Sequence, residues 1–390
     1  MSTVPRQKRN AFLRGNHVSG EPLLTRAQKR VAGLRPDFTV PVRYFDYNRW
    51  DKVTKPAEFN MKIPKHLHEE AEKHSTAARL VAHVNTPIYN GRVVEDITLD
   101  STGFSFGHAP TTMEGQDFYD IHTVHTKYFP EVIEHIKCLT GATAVLPFDH
   151  SVRNSTLMRD GTGIGGPVGF AHNDNTYWSG PNRARQLLKD NGIVDEVLKY
   201  RFAIMNVWRR WDGGNDMPLG ICSGDSLLPD DSDLVGTDLV YRNRTGEIYY
   251  AVFKPEHTFF HFPNMTKDEA LVLKVYDSEA AGATSPLTKN GKRGMLAKWT
   301  LHTAFHHPYH SFKRGLNSPS PRESCEVRCL VLWAPEEIAK MAELKGVTGL
   351  TGGDQFYDSE LGKYVDKRGK SAAIMRNVNP GSHDYSKFQK

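Results

Sequence analysis

Short apolar runs, rich in β-branched and aromatic residues, dominate the chain after residue 200 and predict β-strands. Clusters of Gly, Pro, Asn and Asp separate these runs at short intervals, which favours an antiparallel sandwich or barrel. The predicted strands of this region are YRFAIMNVWRRW, DLVYRN, EIYYAVF, HTFFHF, MLAKWTLHTAF and CEVRCLVLW. VPVRYFDY, ARLVAHVN and ATAVLPFDH add strands earlier in the chain. The pattern therefore predicts a mainly β protein with flanking helices.

Helical segments are fewer than strands. The sequence predicts them at residues 65–80, 127–139 (ending at Gly141), 179–192 and over TKDEALVLKVYDS, from near Thr266. In the third segment Ser179 can cap the helix, Pro181 suits its first turn and Gly192 can close it.

The chain divides by composition into three parts. Residues 1–40 are predicted to be a basic, loosely ordered arm, residues 41–340 a single domain, and residues 341–390 a surface extension. The 390 residues are 38% hydrophobic and 24% charged, which fits a soluble globular domain with a sizeable core. A net charge of +5 is only mildly basic, so nucleic acid is not expected as a partner.

The four cysteines show no CxxC spacing and do not resemble a disulfide framework or a zinc knuckle. No apolar run approaches the roughly 18 residues that a membrane span needs, and no hydrophobic signal core is present at the N-terminus. We therefore expect a cytoplasmic protein with no membrane partner.

One glycine-rich motif, GTGIGG at residues 161–166, matches G-x-G-x-x-G. A dinucleotide-binding fingerprint must lead directly into a helix. Here Pro167 and the strand-like VGFAHND follow it, so we predict a loop and not a Rossmann site.

The segment GFAHNDNTYW contains the first candidate ligands. On a strand, residues two apart point to the same face, so His172 and Asp174 project together and Asn173 projects away. An imidazole and a carboxylate side by side form two thirds of the facial triad that holds non-haem Fe(II). His-x-Asp by itself is weak evidence, because the chain contains 18 histidines.

A third ligand must come from a distant strand. The candidates are the four histidines of WTLHTAFHHPYH: His302, His306, His307 and His310. We favour the first, because it lies inside a predicted strand whereas the others surround Pro308 in a predicted turn. His306 is the main alternative.

The strand PRESCEVRCLVLW carries an unusual polar face. Arg322, Ser324, Glu326 and Arg328 share that face, and the opposite face is apolar. A solvated edge strand can have this pattern. Arginine also binds carboxylates bidentately, so two arginines one strand after a candidate ligand histidine suit a dicarboxylate cosubstrate.

With these motifs in their order, the chain resembles the Fe(II)/2-oxoglutarate-dependent oxygenases. It most resembles the fungal secondary-metabolism hydroxylase/desaturase family related to the cephalosporin 7-alpha-methoxylation subunit. The matching segments are FDHSVRNS, AHNDNTYWSGPNRAR, NVWRRW with MPLGICSGDSL, FFHFPNMTKDEALVLKVYDS, LHTAFHHP and PRESCEVRCLVLW. The chain departs from the family at Asn173, at Arg209-Arg210 and in LGICSGDSL.

The resemblance implies a double-stranded β-helix core, of jelly-roll or cupin type, over about residues 140–335. It implies Fe(II), 2-oxoglutarate and O2 as cofactor and cosubstrates, and hydroxylation, desaturation or oxidative rearrangement of a small molecule. It assigns His172, Asp174 and His302 to the iron, and Arg322 with Arg328 or Ser324 to 2-oxoglutarate. Candidates for the substrate pocket wall are Tyr177, Trp178, Trp208 and Arg210.

Three other functions fit parts of the pattern. A nucleic-acid demethylase of the same superfamily would use the basic arm and the paired arginines. A non-catalytic subunit with an oxygenase fold would support an active paralogue in a heterodimer. As to assembly, the sequence is compatible with a homodimer or with a heterodimer with a paralogue. A cupin-like metal enzyme without 2-oxoglutarate would leave Arg322 and Arg328 unexplained.

Overall fold

The computed structural model describes residues 24–59, 65–154, 166–193, 195–211, 214, 216–228, 230–241, 244–281, 296–309, 322–346, 355–358 and 363–366. The strands are β1 Phe38–Phe45, β2 Ala57–Phe59, β3 Val81–Asn90, β4 Phe104–His108, β5 Ala144–Asn154, β6 His172–Asn173, β7 Phe202–Arg210, β8 Leu219–Cys222, β9 Leu234–Val240, β10 Thr245–Ala251, β11 Phe259–His261, β12 Glu269–Asp277, β13 Leu301–Ala304, β14 Glu323–Leu332, β15 Gln355–Asp358 and β16 Lys363–Asp366. The α-helices are α1 Arg26–Arg30, α2 His68–His74, α3 Ile121–Thr123, α4 Phe129–Thr140, α5 Ser179–Asp190, α6 Ser278–Ala281 and α7 Glu336–Gly346.

Two curled sheets form the body of the protein. A nine-stranded sheet has the order β1-β3-β11-β8-β13-β6-β10-β9-β2, and a five-stranded sheet has the order β4-β12-β7-β14-β5. One apolar cluster joins their inner faces, because it contains Phe104 and Trp208 from the smaller sheet with Ile221 and Phe260 from the larger. This architecture is the expected jelly roll.

Helix α4 covers the outer face of the five-stranded sheet, where Val132 and Ile136 share an apolar cluster with Val327 and Cys329 of β14. Leu187 of α5 lies in a different cluster, with Leu330 at the end of the opposite face of β14. The apolar face predicted for β14 is therefore a packing surface for helices, and its polar face points into the jelly roll.

The predicted helix near Thr266 is wrong, because this segment forms β12. Its residues from Ala270 to Asp277 are all buried, with β4 on one side and β7 on the other. A strand buried on both faces shows a continuous apolar run, which periodicity cannot distinguish from a buried helix. The β-branched Val272 and Val275 favour the strand.

The other predicted helices form with altered ends. α4 stops at Thr140, where Gly141 adopts the left-handed conformation with φ of 65°. α5 begins at Ser179, but the backbone N–H of Ser179 donates to Oγ1 of Thr176, so Thr176 makes the capping contact predicted for Ser179. The helix predicted at 65–80 breaks after α2, and only a 3-10 turn follows.

Some predictions lie outside the described residues. They include GTGIGG except for its last glycine, the histidine at position 310, the arm as far as residue 23 and most of the C-terminal extension. The division into arm, domain and extension stays a prediction.

Gly224 is held where two chain segments meet. A Cβ on this residue would lie 2.5 Å from the carbonyl oxygen of Trp299 and 3.0 Å from the Cβ of Ala297. We expect Gly224→Ala to lower the free energy of unfolding by about 1–3 kcal/mol, because the backbone must move to relieve the contact. Urea unfolding followed by circular dichroism measures the change.

The matched control is Gly107→Ala, where a Cβ would meet nothing within 4 Å. We expect this variant to stay within about 0.5 kcal/mol of the parent protein. Equal stability of the two variants would contradict close packing around Gly224.

Candidate metal and cosubstrate site

Two histidines face each other across neighbouring strands of the larger sheet. β6 lies between β13 and β10, and His302 is the direct partner of His172 in the antiparallel register. Their ring centroids are 4.2 Å apart and both residues are buried. Direct partners in a ladder point to the same face, so strand pairing alone brings together side chains 130 positions apart in the sequence.

Asp174 completes the group immediately after β6. Its Oδ1 lies 3.4 Å from Nε2 of His172 and 3.8 Å from Nε2 of His302. Its Oδ2 accepts hydrogen bonds from Nδ2 of Asn206 at 2.8 Å and from Nε of Arg328 at 3.2 Å. One carboxylate oxygen is therefore held by the protein, and the other faces the imidazoles.

The imidazoles are oriented for ligation by Nε2. Nδ1 of His172 lies 2.7 Å from the carbonyl oxygen of Phe170, a contact in which Nδ1–H donates and leaves the Nε2 lone pair available. Burial and the neighbouring imidazole of His172 lower the pKa of His302 to about 3, so its ring is neutral. Burial opposes the charge of Asp174, but the Arg328 guanidinium holds the pKa of that carboxyl well below its usual range.

These residues fit a metal ion of the first transition row. One ligand atom from each of His172, Asp174 and His302 can be chosen so that all three lie within 4.8 Å of one another. Such ions bind His nitrogen and carboxylate oxygen at about 2.0–2.2 Å, so a single ion can reach all three. Two imidazoles and one carboxylate are the donor set of the Fe(II) facial triad.

The alternative histidines are placed differently. His306 is exposed beyond the end of β13, and His307 packs its ring against Phe38. Within the described part of the chain, the only grouping of three or more potential ligands is the one that contains His302. The geometry therefore favours His302.

The inner face of β14 lies opposite this group. Arg328 is engaged by three carboxylates: Asp149 at 3.0 Å, Asp174 at 3.2 Å and Glu326 at 2.6 Å. Its charge is therefore balanced by the protein itself. The prediction that Arg328 binds 2-oxoglutarate stays a prediction, and its contacts indicate a second role, that of orienting Asp174.

Arg322 is buried with only partial pairing. Its Nη1 donates to the carbonyl oxygen of Met217 at 2.6 Å. In the described part of the protein, Nε of Arg322 and Oγ of Ser324 have no hydrogen-bond partner. Burial and the nearby Arg153 guanidinium lower the pKa of Arg322 to about 9. A buried, unsatisfied guanidinium and hydroxyl fit an anionic ligand such as a carboxylate.

Sequence reasoning missed two residues of the site. Asn206 on β7 binds the Asp174 carboxylate, and Arg153 on β5 projects from the strand position opposite Ser324. Asn206 could have been found from the sequence. It lies two residues before Trp208, so it shares the strand face of the predicted pocket residues Trp208 and Arg210. Nothing local to Arg153 signals its position.

The predicted pocket residues fall into two groups. Trp208 and Arg210 lie on the inner face of β7, where the Arg322 guanidinium sits 5.6 Å from the Trp208 ring centroid. Tyr177 instead packs on Trp299 with ring centroids 4.7 Å apart. Trp178 is half-buried just before α5. Their substrate contacts stay predictions.

A jelly roll with two histidines and one aspartate converging between its sheets defines the class of mononuclear metal-dependent oxygenases. The fold matches the solved iron and alpha-ketoglutarate-dependent endoperoxidase NvfI, with a TM-score of 0.56 and 20% identity over 76% of this chain and 98% of that chain. A structure of the same endoperoxidase in a different conformation matches with a TM-score of 0.58 and 21% identity over 77% of this chain and 99% of that chain.

Sequence comparison extends this likeness. Hydroxylase/desaturase CTB9 of Cercospora beticola is 30% identical over 264 residues, 62% of this chain and 74% of that protein. Hydroxylase/desaturase efuI of Hormonema carpetanum is 29% identical over 269 residues, 62% and 81% respectively. The Fe(II)/2-oxoglutarate-dependent dioxygenase nvfI of Aspergillus novofumigatus is 27% identical over 242 residues, 61% and 78%.

A family profile described as an oxidoreductase/YMDC permease-like domain matches residues 43–332. The chain belongs to this oxidoreductase family, and the relatives it matches are named as an Fe(II)/2-oxoglutarate-dependent dioxygenase and as hydroxylase/desaturases. Among the helices that the structure describes, none is long and apolar enough to cross a membrane.

Proposed function

We propose that this protein is a non-haem Fe(II)/2-oxoglutarate-dependent dioxygenase that oxidises a small-molecule, secondary-metabolite substrate. The observation that carries the proposal is the convergence of His172, Asp174 and His302 opposite an inner strand face with unsatisfied anion-binding groups. Bound Fe(II) would supply oxygen activation coupled to oxidative decarboxylation of 2-oxoglutarate to succinate and carbon dioxide.

Each residue of the metal group has a separate task. His172 and His302 offer Nε2, and Asp174 offers Oδ1 while Asn206 and Arg328 retain Oδ2. With Oδ2 held in this way, Asp174 would offer Oδ1 to a bound metal ion, and the three protein donors would leave room for cosubstrate, oxygen or water. The charge of Arg328 also keeps Asp174 ionised before metal binds, because it lowers the pKa of that carboxyl.

Arg322 and Ser324 are suited to the far carboxylate of 2-oxoglutarate. Both side chains are buried, and each has a donor group without a described protein partner. The apolar cluster of Trp208, Ile221 and Phe260 borders this position, because Trp208 contacts Arg322 and Ile221 pairs with His302 in the sheet. Apolar walls exclude water and strengthen the charge–charge interactions inside the site.

The reaction outcome belongs to hydroxylation, desaturation or oxidative rearrangement. The relatives' names include hydroxylase/desaturase and endoperoxidase, and all of these outcomes begin with oxidation of a small molecule. The intact donor set disfavours a purely non-catalytic subunit, and the unsatisfied Arg322 and Ser324 disfavour a metal enzyme without 2-oxoglutarate.

Anaerobic spectroscopy tests the proposal directly. Adding Fe(II) and then 2-oxoglutarate to the purified chain should produce a weak metal-to-ligand charge-transfer band, and admitting oxygen should release succinate. The control replaces 2-oxoglutarate with glutarate, which lacks the 2-oxo group and should give no band. Iron binding without the band would indicate a cupin-like enzyme, and absence of iron binding would indicate a non-catalytic subunit.

A further inference from the structure

Arginines form a row across the inner face of the smaller sheet. β14 lies between β5 and β7, and Ser324 is paired with Arg153 on one neighbour and with Arg210 on the other. Direct partners project to the same face of a sheet. Three consecutive strands therefore place two guanidinium groups beside Ser324, and Arg322 lies two residues before that serine on β14.

A second row runs parallel to the first and has the opposite electrostatic character. Arg328 is paired with Asp149 on β5 and with Asn206 on β7. Its guanidinium contacts the carboxylates of Asp149, Asp174 and Glu326. Because the row supplies its own counter-charges, it needs no further anion.

Among the residues that the structure describes, Arg153 has no carboxylate in direct contact. Its Nη1 donates to the carbonyl oxygen of Gly166 at 3.1 Å, and it forms no ion pair with any carboxylate in the described part of the chain. Burial and the charge of Arg328 lower its pKa, and the more distant carboxylates of Glu326 and Asp174 only partly oppose this effect. The charge of Arg153 in turn opposes the ionised form of Arg322 and lowers the pKa of that group.

The strand register places Arg153 beside Ser324, on the inner face that also carries Arg328. Two like charges in a low-dielectric interior repel unless an anion lies near both. Fe(II) and 2-oxoglutarate together add equal positive and negative charge. The negative charge of the far carboxylate, however, would lie beside Arg322 and away from the metal. A bound dicarboxylate would therefore relieve the repulsion between Arg153 and Arg322.

We propose that Arg153 is a second binding residue for the far carboxylate of 2-oxoglutarate, supplied by β5 and acting with Arg322. The inference rests on the proposed function. It assigns to Arg153 the 2-oxoglutarate-binding role that the sequence pattern suggested for Arg328. Arg153 thus sets cosubstrate affinity, while Arg328 keeps the carboxylate of Asp174 in place.

Isothermal titration of 2-oxoglutarate into the anaerobic, Fe(II)-loaded full chain tests this assignment. We expect Arg153→Gln to raise the Kd for 2-oxoglutarate about 10-fold, since charge-assisted hydrogen bonds to a carboxylate are the stronger ones. Arg153→Lys keeps the charge and should recover most of the affinity. The matched control is Arg185→Gln, an exposed arginine of α5.

Pyruvate serves as the second probe, because it is a 2-oxo acid without the far carboxylate. Arg153→Gln should change the Kd for pyruvate by less than about two-fold, since the lost guanidinium has no carboxylate to bind there. Equal losses for both ligands would overturn the assignment to the far carboxylate. Iron content and the circular dichroism spectrum show whether each variant is folded with its metal group intact. If Arg153→Gln does not fold, Arg153→Met, which keeps the length of the side chain but not its charge, provides the test.

The outcomes separate this inference from the proposed function. Unchanged affinity in Arg153→Gln together with weak binding in Arg322→Gln would refute the role of Arg153 and leave the dioxygenase proposal standing. Failure of the parent protein to bind 2-oxoglutarate would refute both.

Discussion

Replacing His302 with alanine should abolish stoichiometric iron binding, and replacing Asp174 with alanine should do the same. Each change removes one of three donor atoms that converge on one point. Loss of a ligand leaves too few protein donors to hold Fe(II), and we expect iron content to fall below about one tenth of that of the parent protein and succinate formation to fall at least about 1,000-fold. Anaerobic Fe(II) titration with a colorimetric iron assay measures the first effect.

His306→Ala is the matched control for His302→Ala. It removes an imidazole four positions along the same segment, but from an exposed residue outside the ligand group. We expect normal iron content and normal succinate formation in this variant. If His306→Ala lost iron and His302→Ala retained it, the ligand assignment would be wrong.

Arg322→Gln should raise the Kd for 2-oxoglutarate about 100-fold without reducing stability. Truncating one partner of a buried, hydrogen-bonded charge pair costs about 2–5 kcal/mol of binding free energy. In the free protein the same guanidinium is buried without a described carboxylate partner, so removing it relieves a desolvation penalty. Calorimetry on the anaerobic iron-loaded protein gives the affinity, and thermal unfolding without ligand gives the stability.

The contrast between these two measurements is the decisive feature. A residue with a purely structural role would lose stability and cosubstrate affinity together when it is replaced. Arg322→Lys keeps a positive charge but not the planar fork, and we expect it to fall between the parent protein and Arg322→Gln. A Kd unchanged in Arg322→Gln would remove this residue from the cosubstrate site.

Strand periodicity predicted much of the fold, and its main failure has a physical cause. β7, β10 and β14 appeared as predicted, because short apolar runs between turn residues are typical of strands. β12 was predicted as a helix, because a strand buried on both faces has no alternating pattern. Its place between two other strands is a property of the sheet and not of the segment.

For the arginines too, strand spacing predicted the face of the sheet but not the neighbouring side chains. Spacing along β14 correctly placed Ser324 and Arg328 on one face, since side-chain direction alternates along any strand. Spacing could not reveal that carboxylates from β5 and from the segment after β6 already surround Arg328. Nor could it reveal that Arg153 stands beside Ser324.

The sequence by itself determined the class of enzyme and the faces on which the candidate residues lie. His172 with Asp174, and Arg322 with Ser324, follow from a local rule, the two-residue period of a strand. Only the tertiary structure decided that His302 pairs with His172, that Asn206 holds Asp174 and that Arg153 faces the same interior. These contacts depend on strand order and register, which the packing of both sheets sets together.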